Sequence, residues 1–75
     1  MALSPLTRTV TVEVARNGSV VVESGSRLVA MSRWSERAAR LADAFGTGLH
    51  VVATDADVEA LSPVVAADLA DALAV

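Results

Sequence analysis

Arg33, Arg37 and Arg40 stand at i, i+4 and i+7 in the stretch SRWSERAARLADAFGTG (residues 32–48), beside Trp34, the single tryptophan of the chain. On a helix that spacing makes one stripe of guanidinium groups, forks that can hold phosphate or carboxylate oxygens two at a time. Cations beside a ring that can stack are the ingredients of a nucleic-acid contact. Such a contact also needs several neutralised phosphates and usually a net basic domain. Here the formal charge is −3, and Phe45 is the only other residue among Phe, Tyr and Trp. Glu36 and Asp43 lie at i−4 and i+3 from Arg40, where they can pair with it and damp the patch. The stripe is therefore expected to be a solvated or acid-paired helix face, with a protein contact as its second use. A small regulator touching nucleic acid through these arginines is the rival function.

Other groupings offer less. Asp55, Asp57 and Glu59 alternate like the start of a calcium loop, which needs glycine at its sixth position and a carboxylate at its twelfth. Those positions hold Ala60 and Ala66, so the acids read as first-turn residues that favour the helix dipole, by about 0.3–1 kcal/mol each. His50 with a serine and Asp55 or Asp57 could be imagined as a triad, but an oriented base, an oxyanion hole and a pocket have no sequence signature here. His50 reads as a half-buried strand residue with one hydrogen bond. The glycines of GTG (residues 46–48) follow a helix and precede a strand, the reverse of a phosphate cradle. One histidine and no cysteine cannot complete a four-ligand zinc site. No catalytic, cofactor-binding or metal residue is assigned, no small-molecule substrate is evident, and an enzyme is disfavoured because so short a chain leaves little room for a pocket of several hundred Å3.

These residues must be carried by a short run of elements. Residues 9–14 alternate with period two, placing Val10, Val12 and Val14 on one face and Thr9, Thr11 and Glu13 on the other. Asn17-Gly18 suits a two-residue type I′ hairpin turn, which predicts that Val14 faces Val21 and Val12 faces Glu23. In that register Val20 and Val22 fall with Ala15 on the face away from the core. Ser24-Gly25-Ser26 bends the chain, and residues 27–31 suit a third strand or the lead-in to a helix equally. Ser32 is a suitable N-cap for a helix whose apolar stripe is Trp34, Ala38, Leu41 and Phe45. Trp34 is expected first in the core and second as an interface anchor. Gly46 stops that helix, and residues 49–54 suggest a buried strand. Thr54 and Asp57 resemble a capping box. Ser62-Pro63 predicts a kink or restart in the last helix, whose stripe is Val58, Leu61, Val65, Leu69 and Leu73, with Asp68 and Asp71 off it.

The expected architecture is a single α+β domain over residues 1–75, in the order β-β-(β)-α-β-α, with two helices packed on one face of a small antiparallel or mixed sheet. Residues 1–6 read as an arm, flexible or ordered by a partner. A 75-residue chain supports a lone core of roughly 3–5 kcal/mol. With neither disulfide nor metal to add to it, association is the open route to more stability. All six arginines fall in the first 40 residues, giving that part +3, while the remainder sums to −6. These parts pair either within one molecule or head-to-tail between subunits.

Six Arg without Lys, Ile, Gln or Tyr fits the codon bias of a GC-rich genome, such as an actinobacterium or its phage. The start MALSPLTR lacks a basic, apolar leader and no run of 18 apolar residues occurs, so the expectation is a cytoplasmic protein or a component of a particle assembled there. The expected role is a non-enzymatic protein–protein interaction module, a subunit of a homo-oligomer or an accessory or structural component of a larger assembly, without cofactor. The candidate contacts are Trp34, Arg33, Arg37 and Arg40, the hairpin face at Val20 and Val22, and the outer surface of the final helix with Asp68 and Asp71.

Overall fold

The structure, a computed structural model, describes residues 8–74; the arm expected at residues 1–6 lies outside them. Strands β1 (Val10–Val14), β2 (Val20–Ser24) and β3 (Arg27–Met31) are followed by helix α1 (Glu36–Phe45), strand β4 (Gly48–Val52) and helices α2 (Asp55–Glu59) and α3 (Pro63–Leu73). The strands form one sheet in the order β3-β2-β1-β4, and every neighbouring pair is antiparallel. The chain is a small α+β fold, and residues 27–31 are a strand.

The first turn departs from the expected register by one residue. Gly18 N–H donates to Ala15 O and Ala15 N–H to Ser19 O, closing a three-residue loop over Arg16, Asn17 and Gly18. Only Gly18 takes a positive φ, +90°, as in a type I turn followed by a G1-type bulge. Asn17 Oδ1 accepts from Ser19 N–H and holds the loop. Val14 therefore faces Val20 and Val12 faces Val22. Burial explains the choice, because the two-residue register would set Glu23 opposite Val12 on the core face, whereas this one gathers valines there. Val20 and Val22, expected on the open face, are both at 0% exposure in the core. The tight two-residue hairpin is instead the next one: Gly25 at φ +59° and Ser26 join Ser24 to its partner Arg27.

Both edges of the sheet are set by α1. Met31, Val20, Val14 and Gly48 form one row across the sheet, so the chain leaves β3 and enters β4 at the same end but on opposite edges. Ten residues of helix at a rise of about 1.5 Å span the three interstrand gaps of about 4.8 Å. Ser35, not Ser32, caps α1, accepting from Ala38 N–H. Ser32 instead makes a turn, its Oγ accepting from Trp34 N–H and its carbonyl from Ser35 N–H. Two serines compete for one helix start, and the later one puts Glu36 in the first turn, where the dipole favours it. Trp34 is thereby left outside the helix. Gly46 ends α1 as expected, at φ +82°.

The last helical region divides where Ser62-Pro63 predicted a restart. Thr54 and Asp57 close a reciprocal capping box on α2, and Ser62 caps α3 with Pro63 at its start. Helices α1 and α3 pack on the valine face and against each other. The core they close consists of Val10, Val12, Val14, Val20, Val22 and Val52 from the sheet, Ala38 and Leu41 from α1, and Val65 and Leu69 from α3. Strand β4, expected to be buried, is an edge strand with Leu49 and Val51 exposed. Among the described residues no helix is long and apolar enough to cross a membrane.

Candidate interaction surface

The arginine stripe is divided by one aspartate. Asp68 sits on α3 at i+3 from Val65 and i−4 from Ala72, on the side that packs inward, and its side chain is 8% exposed. Its placement off the apolar stripe is therefore corrected. A buried carboxylate needs a partner, and Arg40 of α1 supplies one in side-on geometry: Nε donates to Oδ2 at 2.8 Å and Nη2 to Oδ1 at 2.9 Å. This fork holds the Asp68 carboxyl below its ordinary pKa, against the opposing effect of burial. Arg37 Nε lies 3.9 Å from the same carboxylate, close enough for charge attraction but too far for a hydrogen bond, and it is buried without another partner. The basic and acidic parts of the chain are thus clasped within one molecule at the α1–α3 seam. Arg37 and Arg40 help to hold the fold, whereas Arg33, expected on the same helix stripe, lies ahead of the Ser35 cap and so off the helix, with no acid paired to it among the described residues.

Arg33 and Trp34 form a knob on the β3–α1 loop. The Trp34 side chain, expected in the core, is 81% exposed. Arg33 stacks on it with the guanidinium carbon 4.5 Å from the ring centroid, a cation–π contact. The loop rests on the first hairpin: a Cβ added to Gly18 would stand 3.3 Å from Arg33 Cβ. Gly18 thus supplies both the positive φ of the turn and the room for the knob. Arg16, exposed, belongs to the same turn. One end of the molecule therefore presents an aromatic ring with a guanidinium stacked on it and a second arginine in the neighbouring turn.

The sheet's other face is uncovered among the described residues. Pairing places Leu28, Glu23, Thr11 and Val51 in one outer row and Ala30, Val21, Glu13 and Leu49 in the next. Leu28, Leu49 and Val51 are 60%, 65% and 56% exposed. The most exposed apolar residues, Leu28, Leu49 and Val51, lie on the two edge strands, and Glu13 and Glu23 with Thr11 and Val21 occupy the centre. No arginine holds a position in these rows. Apolar residues exposed singly need no explanation, but three large ones on one uncovered sheet face mark a contact surface. An open face was expected from the sequence, but its residues were not, because they follow from the bulged register. The clue was Glu23, which a two-residue turn would have buried.

The remaining candidates are separate. Asp71 is exposed on α3. His50 is half-buried, its Nε2–H donating to Gly46 O at 2.7 Å and its ring 5.3 Å from that of Phe45. Asp57 accepts from the Ala53 and Thr54 backbone N–H groups, which lower its pKa in that order. Among the described residues no three His, Asp or Glu side chains stand together as a metal site would require. Compared with family models, curated proteins and solved structures, the chain matches none.

Proposed function

We propose that the chain is a non-enzymatic protein–protein interaction module working in the cytoplasm, as a subunit of a homo-oligomer or an accessory part of a larger assembly. The observation that carries this reading is the open sheet face, with Leu28, Leu49 and Val51 on its margins. Each Å2 of apolar surface removed from water contributes about 25 cal/mol, a substantial addition to a core of roughly 3–5 kcal/mol. Among the described residues β3 and β4 also end the sheet with no strand paired on their outer sides, edges that a partner strand or loop can cover. Nucleic acid is disfavoured because Asp68 occupies Arg40 and draws Arg37, while the open face is acidic.

The test compares the wild-type chain with a Leu28→Lys/Leu49→Lys/Val51→Lys variant, reading solution mass by light scattering and the proteins that co-purify from the native cells. The reading predicts that self-association or a specific companion present with wild type is lost with the variant. Identical mass and identical companions for both would overturn it.

A further inference from the structure

The open face and the knob have complementary chemistry, and both lack a partner among the described residues. The face carries Glu13 and Glu23 on its two central strands as diagonal neighbours, about 7–8 Å apart, between apolar margins on β3 and β4. Two such faces laid together would enclose four carboxylates with no facing cation, and desolvating unpaired charges makes that arrangement costly. The face therefore fits an occupant with an apolar body and a cationic centre. The same chain displays one. Trp34 provides a large ring that buries well at interfaces, and the Arg33 stacked on it provides a fork that meets carboxylates in bidentate fashion.

Resting on the interaction-module reading, we infer that the occupant of the open face is a second copy of this chain, whose Arg33–Trp34 knob seats between the β3 and β4 margins with its guanidinium over Glu13 and Glu23. The knob follows Met31 in the loop that leaves the sheet's end row, and Trp34 is exposed there, while the face lies on the sheet's flank. One molecule can then use both at once. The contact is heterologous, knob of one copy to face of the next, so it propagates into a ring or a short filament. A knob of this size belongs with small, weak interfaces below roughly 1,200 Å2, and its charge pairing is screened as the Debye length falls to about 3 Å at 1 M salt.

The test uses two variants that each lose one half of the contact. Trp34→Ala keeps the face and removes the knob; Glu13→Arg/Glu23→Arg keeps the knob and reverses the face. All three positions are exposed, and circular dichroism checks that both variants retain the wild-type fold. Light scattering should show wild-type mass rising with concentration, less so in high salt, while each variant alone remains a monomer. Mixed, the two should form a complex that stops at one copy of each. Because the Trp34→Ala variant contains no tryptophan, titrating it into the other variant should move the fluorescence of the single knob to shorter wavelength.

Wild-type association that survives Trp34→Ala would overturn the inference and leave the interaction-module reading standing. A wild type that stays monomeric up to about 1 mM, where even a millimolar contact would be half formed, would overturn it as well, and the reading would then rest on the lysine-variant co-purification. Variants that each stay monomeric but do not combine when mixed would also overturn the proposed pairing of knob and face.

Discussion

Val20, Val21 and Val22 are three identical residues in a row on β2, yet they belong to two different surfaces. Val20 and Val22 are fully buried under α1 and α3, while Val21 lies in an outer row with Ala30, Glu13 and Leu49. Val10, Val12, Val14, Val20, Val22 and Val52 dominate the inner face and close the core. The outer face mixes apolar margins with two central glutamates and, among the described residues, has no helix over it. Side-chain type does not separate these valines; position in the pleat does, and the loop at Gly18 fixes it. A slip of one residue would exchange the two faces of β2.

The largest effect expected from breaking this contrast is on the inner side. Leu41→Ala removes a fully buried side chain and should cost about 2–5 kcal/mol, comparable to the whole stability of so small a domain. Urea titration followed by circular dichroism should find this variant largely unfolded without denaturant. Leu49→Ala on the outer face should stay within about 0.5 kcal/mol of wild type.

A matched pair on one strand sharpens the same point. Val22→Thr buries a hydroxyl among valines and should cost about 1–3 kcal/mol, whereas Val21→Thr should change stability by no more than about 0.5 kcal/mol. Equal losses in the two thermal melts would mean that both faces are covered.

Gly18→Ala addresses the loop that sets the register. The φ of +90° strains any other residue, and the new Cβ would meet Arg33 Cβ at 3.3 Å. A loss of about 1 kcal/mol or more is expected, together with a change in Trp34 fluorescence because the knob rests on this turn.

The smallest effect is electrostatic. The Asp68 carboxyl is held below the ordinary value of 3.8, chiefly by its hydrogen bonds to Arg40. A group whose folded pKa is depressed adds stability that is present above the unfolded value and lost as pH falls through the folded one. Thermal melts should therefore weaken as pH drops from about 5 towards 3, and Asp68→Asn should flatten that slope. Asp57, lowered by the Ala53 and Thr54 amides, contributes with the same sign and remains in the variant.

Much of the fold was legible because its signals are local. The alternation of β1, the glycine stop of α1, the Thr54 capping box and the Ser62-Pro63 restart each depend on a few adjacent residues. The surface was harder to read for physical reasons. Asn17-Gly18 suits both a two-residue and a three-residue turn, and only the burial of distant valines selects between them. Ser32 and Ser35 are both good caps, and choosing the second moves Trp34 from the core stripe to an exposed loop. Asp68 falls at a spacing that suits the core, but its burial depends on Arg40, 28 positions earlier in the chain. The turn register and the burial of Asp68 rest on long-range contacts that periodicity does not contain, and the cap rests on a choice between two local signals of equal kind.

The most direct test of an inner face that is closed and an outer face that makes contacts is a dilution series of methyl-labelled protein followed by NMR, at low and high salt. The methyl signals of Leu28, Leu49 and Val51 should move as concentration rises at low salt, while those of Val22, Leu41 and Leu69 stay fixed. Outer-face signals that remain constant across the series, or inner-face signals that move with them, would contradict that division.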